Sequence, residues 1–171
     1  DGPSAGVVRA ASLARPWVSY TYTDATFVDF KSDNNNSPST VDFSGNAVPR
    51  VPRNMVNAGL DVATRDGAYF NSTYQYVARV PVTFDNSTYV KSYDLLGAKL
   101  GIKKRVDKHW SLDIFGGADN ILGSTYYSFL FVGPNYAGLA TAAAGGRGDG
   151  YIIPAPYNAT LYTSLSLKYT F

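Results

Sequence analysis

The sequence predicts an all-β chain: an antiparallel, up-and-down transmembrane β-barrel segment of about six strands. Three observations carry this. Residues 160–171 alternate without a break, with Leu161, Thr163, Leu165, Leu167, Tyr169 and Phe171 opposing Thr160, Tyr162, Ser164, Ser166, Lys168 and Thr170. Period two over that length is a strand with one apolar and one polar face. At about 3.3 Å per residue it spans roughly 40 Å, well beyond the ~5–6 residues of a usual strand, and a tilted bilayer-crossing strand needs only about 9–11 residues. The composition agrees: charged residues are 16% and aromatics 15%, with 14 tyrosines and no run of apolar residues long enough for a membrane helix. Tyr suits a surface that is apolar along its body and wet at its tip. Finally, short turns alternate with long loops along the whole chain, the asymmetry of a membrane barrel.

Taken in order, residues 1–16 are small and Gly/Ala/Ser-rich and read as a lead-in or turn, with the barrel portion running over 17–171. Residues 17–30 begin as a strand, Val18, Tyr20 and Tyr22 facing one way, and lose parity from Asp24. Residues 31–53 hold DNNNSPS, Gly45, Pro49 and Pro52, a loop. Residues 55–64 alternate again, with Val56, Ala58, Leu60 and Val62 opposing Asn57, Gly59 and Asp61. Arg65-Asp66-Gly67 is a tight hairpin signal. Residues 68–80 set Phe70, Tyr74, Tyr76 and Val80 against Asn71, Thr73, Gln75 and Arg79, and a medium loop follows over 81–91. Residues 93–103 set Leu96, Ala98, Leu100 and Ile102 against Lys99, Gly101 and Lys103. A short turn at 105–108 leads into 109–118, where Trp110, Leu112 and Ile114 oppose Ser111 and Asp113. The longest connection, 119–158, precedes the closing strand.

The internal charges Asp61, Arg79, Lys99, Asp113 and Lys168 all fall on the more polar face by this parity. Lipid demands such sorting, since Lys or Arg on the lipid face costs about 2–4 kcal/mol at midplane. These charges are expected to face a lumen and to pair with one another or with a filling domain. The nine prolines are expected in loops or at strand starts. Alternation alone does not say which face is wet, so a soluble β-barrel carrier of an apolar ligand stays open, as does a porin or adhesion barrel.

Covalent chemistry finds no support. The lone histidine, His109, has no second His, no Cys and no carboxylate pair beside it, so neither a metal site nor a Ser–His hydrolase built with Ser111 is indicated. GGRGDG at 145–150 lacks the Lys-Ser/Thr of a phosphate loop. No enzyme, no cofactor and no metal is expected. A net charge of +2 and no basic cluster denser than Lys103-Lys104-Arg105 argue against nucleic acid. Ligand contact is expected in the longest loop, where Tyr126, Tyr127, Phe129, Phe131, Tyr136, Arg147 and Tyr151 form an aromatic, mildly basic set.

Three stretches together resemble the C-terminal third of TonB-dependent outer-membrane receptors. They are YTYTDATF at 20–27 followed by GNAVPRVPRNMVNAGLD at 45–61, KHWSLDIFGGADNILGSTYY at 108–127, and SLKYTF at 166–171. Arg53-Asn54 departs from the common Pro-Arg-His form, and Ile121-Leu122-Gly123 from a Leu-Phe-Asp form. The resemblance implies a part of a 22-stranded barrel with a plug, completed by strands and a plug from the same or a companion chain. It implies active nutrient transport across a bacterial outer membrane, driven through the TonB complex, with a ferric siderophore as the leading substrate. Leu167, Tyr169 and Phe171 would form the C-terminal signal read by the barrel-assembly machinery. Lipopolysaccharide would surround the wall, with long loops outside and the C-terminus in the periplasm.

Overall fold

A computed structural model describes residues 13–33, 40–132, 150–155 and 158–170; Tyr136, Arg147 and Phe171 lie outside the described residues. The strands are β1 (Leu13–Tyr22), β2 (Lys31–Asp33), β3 (Thr40–Asp42), β4 (Asn54–Ala63), β5 (Ala68–Val77), β6 (Val80–Pro81), β7 (Tyr89–Val90), β8 (Tyr93–Arg105), β9 (Trp110–Asp119), β10 (Tyr127–Val132), β11 (Gly150–Pro154) and β12 (Thr160–Tyr169). Six of them form one antiparallel sheet in the order β1-β4-β5-β8-β9-β12, an up-and-down meander. The remaining six form three two-stranded ladders within the long loops, β2–β3, β6–β7 and β10–β11.

Register sorts the residues across the whole sheet. Val18, Ala58, Tyr74 and Leu96 fall in one row, as do Phe70, Leu100 and Gly116, and Ile102, Ile114 and Leu165 in another. These belong to one apolar face, and it is open: Val18 is 74% exposed, Leu100 64% and Leu165 70%. The opposite face carries Asn57, Gln75, Asp61, Asn71, Lys99, Asp113, Ser166 and Lys168 by the same registers. Asp94 and Lys104 also fall on the apolar face, but at the two ends of β8, beside Tyr76 and Leu112. A sheet that exposes an apolar face and keeps its mid-strand charges on the other inverts the soluble arrangement.

The buried apolar residues lie elsewhere, in the loops. Val80, Val82 and Val90 form a small core with Tyr127 and Leu130 against it. Phe43, itself buried, joins Phe27, Phe30 and Phe84 in an aromatic cluster with ring centroids 4.6–6.0 Å apart. Asn86, at φ +56°, ties the first two long loops together: its Oδ1 accepts from the Ala47 N–H at 2.8 Å and its Nδ2 donates to the Ala47 carbonyl at 2.9 Å. The loops at this end are thus folded onto one another.

At the opposite end the connections are tight. Gly67, at φ +91°, donates to the Thr64 carbonyl, and its own carbonyl accepts from the Lys103 N–H at 2.8 Å. A Cβ there would meet the Lys103 carbonyl oxygen at 1.9 Å, so only glycine fits. In the second turn the Asp107 carboxylate accepts from the N–H groups of His109 and Trp110 at 2.7 and 2.8 Å.

Two expectations change. β1 starts at Leu13, so Pro16 lies inside a strand, as Pro81 and Pro154 do. β1 is an edge strand, which is where a sheet tolerates proline. β5 ends at Val77, and Val80 belongs to the loop core instead of the wall. The chain bends at Ala78–Arg79, whose neighbour Ala78 still donates to the Asn54 carbonyl at 3.0 Å.

Candidate functional site

The long-loop end of the polar face holds two adjoining clefts. The larger, about 470 Å³, is lined by Trp17, Asn57, Thr73, Gln75, Leu95, Gly97, Asp119, Asn120 and Tyr126 among others. Its floor is the sheet itself. Gln75 Nε2 donates to Asn57 Oδ1 at 3.1 Å, which fixes two amides side by side across β4 and β5. One wall is the start of the last long loop, and Asn120 shapes it. At φ +50° and 92% buried, Asn120 exchanges hydrogen bonds with Ser124, its Nδ2 donating to the carbonyl and its Oδ1 accepting from the N–H. Asn tolerates the left-handed region better than other non-glycine residues. The turn directs Tyr126 over the cleft, its ring 5.8 Å from that of Tyr93.

The second cleft, about 220 Å³, is more apolar and carries two cations: it is lined by Arg50, Met55, Gln75, Val77, Val90, Lys91, Tyr93, Tyr127 and Leu130 among others. Arg50, at φ +67°, donates through Nη1 to the Leu130 carbonyl at 3.1 Å, and so joins the first long loop to the last. Gln75 is shared by both clefts.

The proposed loop ligand contacts fall as follows. Tyr126 lines the larger cleft and Tyr127 the smaller one, where it also rests on the valine core. Phe129, Phe131 and Tyr151 lie on the β10–β11 ladder, Phe131 and Tyr151 as register partners. Tyr136 and Arg147 lie outside the described residues.

The five internal charges do not pair with one another. Asp61 accepts from Asn71 Nδ2, its register partner. Asp113 accepts from the Tyr69 hydroxyl at 2.9 Å. The Lys99 ammonium lies 5.0 Å from the Phe115 ring centroid and 5.6 Å from that of Tyr69, cation–π distances. Lys168 is exposed at the sheet edge. Arg79 stands beyond the end of β5, outside the wall, its guanidinium 4.8 Å from the Tyr89 ring centroid. Among the described residues the one ion pair is Arg53–Asp24, at 2.9 Å.

Polar-face aromatics also do something that alternation does not reveal. Three of them stand opposite glycine on a neighbouring strand: Trp17 opposite Gly59, Tyr69 opposite Gly101 and Tyr162 opposite Gly117. A Cβ on each glycine would come within 2.5 Å of the facing ring, so the rings lie down on bare backbone. Aromatic–glycine pairs in register were the available signal, once the register was known.

At the other end, His109 is structural. Its ring stacks on Tyr169 at 5.6 Å, its Nδ1 lies 3.0 Å from the Thr170 carbonyl oxygen, and its own carbonyl accepts from the Thr170 N–H. Trp110 and Tyr169 are register partners with rings 4.9 Å apart. Leu167 and Tyr169 both lie on the apolar face, 60% and 44% exposed. Among the described residues no group of three or more His, Cys, Asp or Glu side chains is placed to hold a metal ion.

Residues 8–121 match the family model described as TonB dependent receptor-like, beta-barrel.

Proposed function

The chain belongs to the TonB-dependent receptor β-barrel family, a family of outer-membrane transport barrels, and from that premise we propose how this segment is placed and what it handles. Its apolar face meets lipid and its polar face lines the lumen. The folded long loops lie outside the cell, while the Gly67 and Asp107 turns and the C-terminus lie in the periplasm. The observation that carries this is the separation, along the middle of the strands, of an exposed apolar face from a charged one.

Further strands pair with the free edges of β1 and β12, since open backbone edges in lipid cost several kcal/mol per unsatisfied group. Together they make a 22-stranded wall around a plug that engages the TonB complex. Leu167 and Tyr169, with Phe171, serve as the signal for the barrel-assembly machinery.

The transported ligand in this reading is a ferric siderophore, received at the paired clefts. Arg50 and Lys91 supply positive charge for an anionic chelate, and Trp17, Tyr93, Tyr126 and Tyr127 supply ring faces for its aromatic or acyl parts. Binding to the whole receptor in detergent tests it, using a ferric catecholate, a ferric hydroxamate, cobalamin and a neutral oligosaccharide. A ferric chelate is expected to bind, and Lys91→Ala to weaken it by about tenfold, as for loss of one charge-assisted contact. Binding of the oligosaccharide or cobalamin with no response to either chelate overturns the substrate assignment.

A further inference from the structure

A third cleft lies on the other side of the sheet. It measures about 300 Å³ and is lined by Asn46, Val51, Arg53, Asn54, Arg79 and Tyr89 among others. Its outward direction follows from which wall residues it takes. Asn54 belongs to the apolar face, where its Oδ1 accepts from the Tyr20 hydroxyl at 2.7 Å. The polar-face residues Met55, Gln75 and Val77 line the inner cleft instead, together with Arg50, Pro52, Val80 and Val90. Beyond the wall the chain therefore keeps alternating, with Arg50, Pro52 and Val80 inward and Val51, Arg53, Arg79, Pro81 and Tyr89 outward. The bends at Arg53 and at Ala78–Arg79 move both arginines off the parity that simple alternation assigns to Arg79.

The depth of the cleft matters as much as its direction. Asn54 is the register partner of Tyr22, and the apolar face just below it shows Tyr20 and Tyr22, 61% and 60% exposed. Exposed tyrosines at the end of an apolar band mark the membrane–water boundary. With the apolar face toward lipid, the placement proposed above on which this inference rests, Arg53 is the next residue past that boundary, and its guanidinium and that of Arg79 reach headgroup level. Both side chains are exposed. Asp24 holds one nitrogen of Arg53 at 2.9 Å, which orients the fork while leaving further N–H groups. Arg79 lies over the Tyr89 ring face, a contact that uses none of its N–H donors.

We propose that Arg53 and Arg79 form a binding site for the phosphorylated headgroup of an outer-leaflet glycolipid. Both arginines line this one cleft, and a guanidinium fork matches phosphate geometry. A phosphate here leaves the attached acyl chains to run down the apolar face over Tyr20, Tyr22 and Val18. The inward Arg50 lines the other cleft, so the positive charge of this end is divided between a lipid-facing and a lumen-facing role.

The test uses the whole receptor, delipidated in detergent and examined by native mass spectrometry with bisphosphorylated lipid A, dephosphorylated lipid A or inorganic phosphate. Wild type is expected to retain the bisphosphorylated lipid, and the Arg53→Gln/Arg79→Gln double variant to retain it about tenfold less, as for lost charge-assisted hydrogen bonds. Heat-modifiable gel migration confirms that the variant is folded. If the double variant does not assemble, Arg79→Gln alone gives the same readout, since Arg79 stands beyond the end of β5 and its ring contact, Tyr89, also lies outside the wall. Equal retention by variant and wild type overturns the proposal, as does equal retention of dephosphorylated lipid A. Displacement of the lipid by millimolar inorganic phosphate also overturns it, because the site would then serve a free anion. None of these outcomes depends on which ligand the inner clefts carry.

Discussion

At the scale of single residues, the polar face is held by rings lying on glycine. Tyr69 covers Gly101, and its hydroxyl reaches past it to Asp113, while Lys99 sits over both Tyr69 and Phe115. The three glycine–ring pairs are not equivalent. At Gly117 the nearest atoms to an added Cβ all belong to the Tyr162 ring, whose far end can swing away. At Gly101 an added Cβ meets the Tyr69 ring at 2.5 Å and also the Ile114 carbonyl oxygen at 2.8 Å, which is backbone and cannot. Gly117→Ala is therefore expected to cost about 1 kcal/mol and Gly101→Ala about 2–3 kcal/mol, the range for overpacking a well-filled site. Thermal loss of heat-modifiable migration in the whole receptor measures both. Equal cost at the two positions contradicts the backbone argument, and adding Tyr162→Ser to Gly117→Ala is expected to remove the ring clash at Gly117 and leave the cost of Gly101→Ala unchanged.

At the scale of elements, the long loops form a folded layer with its own core. Asn86 is the clamp, meeting both the N–H and the carbonyl of Ala47 from a left-handed backbone. Asn86→Ala removes both bonds and adds strain at φ +56°, so loop separation is expected to become easier by about 2–3 kcal/mol. Limited proteolysis within 40–50 and 83–88 should accelerate while the wall strands stay protected. The neighbouring Asp85 adds a pH dependence. Burial pushes its carboxyl up, but hydrogen bonds from Thr83 and from the N–H and hydroxyl of Ser87 outweigh that and hold it below its ordinary value. A folded value below the unfolded one contributes stability that is complete above about pH 4 and lost as pH falls through the folded value. Pepsin cleavage of this loop should thus show a step below about pH 4 that Asp85→Asn flattens.

These loops were also where the sequence was least legible. The six wall strands were readable because lipid and lumen impose period two, and because Gly67 and the turn before Trp110 punctuate it. The ladders β2–β3, β6–β7 and β10–β11 are two to six residues long, too short for a period to declare itself. The clefts were half legible: Tyr126 and Tyr127 stood out as loop aromatics, whereas Trp17 only opens a stretch read as strand, and Arg50 and Lys91 lie unremarked in the stretches 31–53 and 81–91 read as loops. Their convergence depends on how three loops fold together, and no local pattern encodes that. Arg79 shows the limit of parity itself, which holds only while the chain stays straight.

At the scale of the whole molecule, one assignment supports everything else: which face of the sheet meets lipid. Leu165 and Ser166 test it because they are adjacent on β12 and occupy opposite faces. Leu165 is register partner of Ile114 on the apolar face, near the middle of β12, and Ser166 is partner of Asp113 on the polar one. If the apolar face meets the bilayer core, Leu165→Arg costs about 2–4 kcal/mol, whereas lumen-side charge is tolerated and Ser166→Arg stays within about 1 kcal/mol. Arginine beside Asp113 in fact gains an opposite charge, so the polar-side substitution has no electrostatic reason to disrupt assembly. Folding of the two whole-receptor variants into lipid vesicles, followed by denaturant titration, reads both numbers in the same membrane. Repeating the pair in vesicles of thinner hydrocarbon core adds a second discriminator. A lipid-facing arginine lies closer to the headgroups in a thin bilayer, so the Leu165→Arg cost should shrink there. A penalty at Leu165 that ignores bilayer thickness means that this face is covered by protein, and the wall is then inside out.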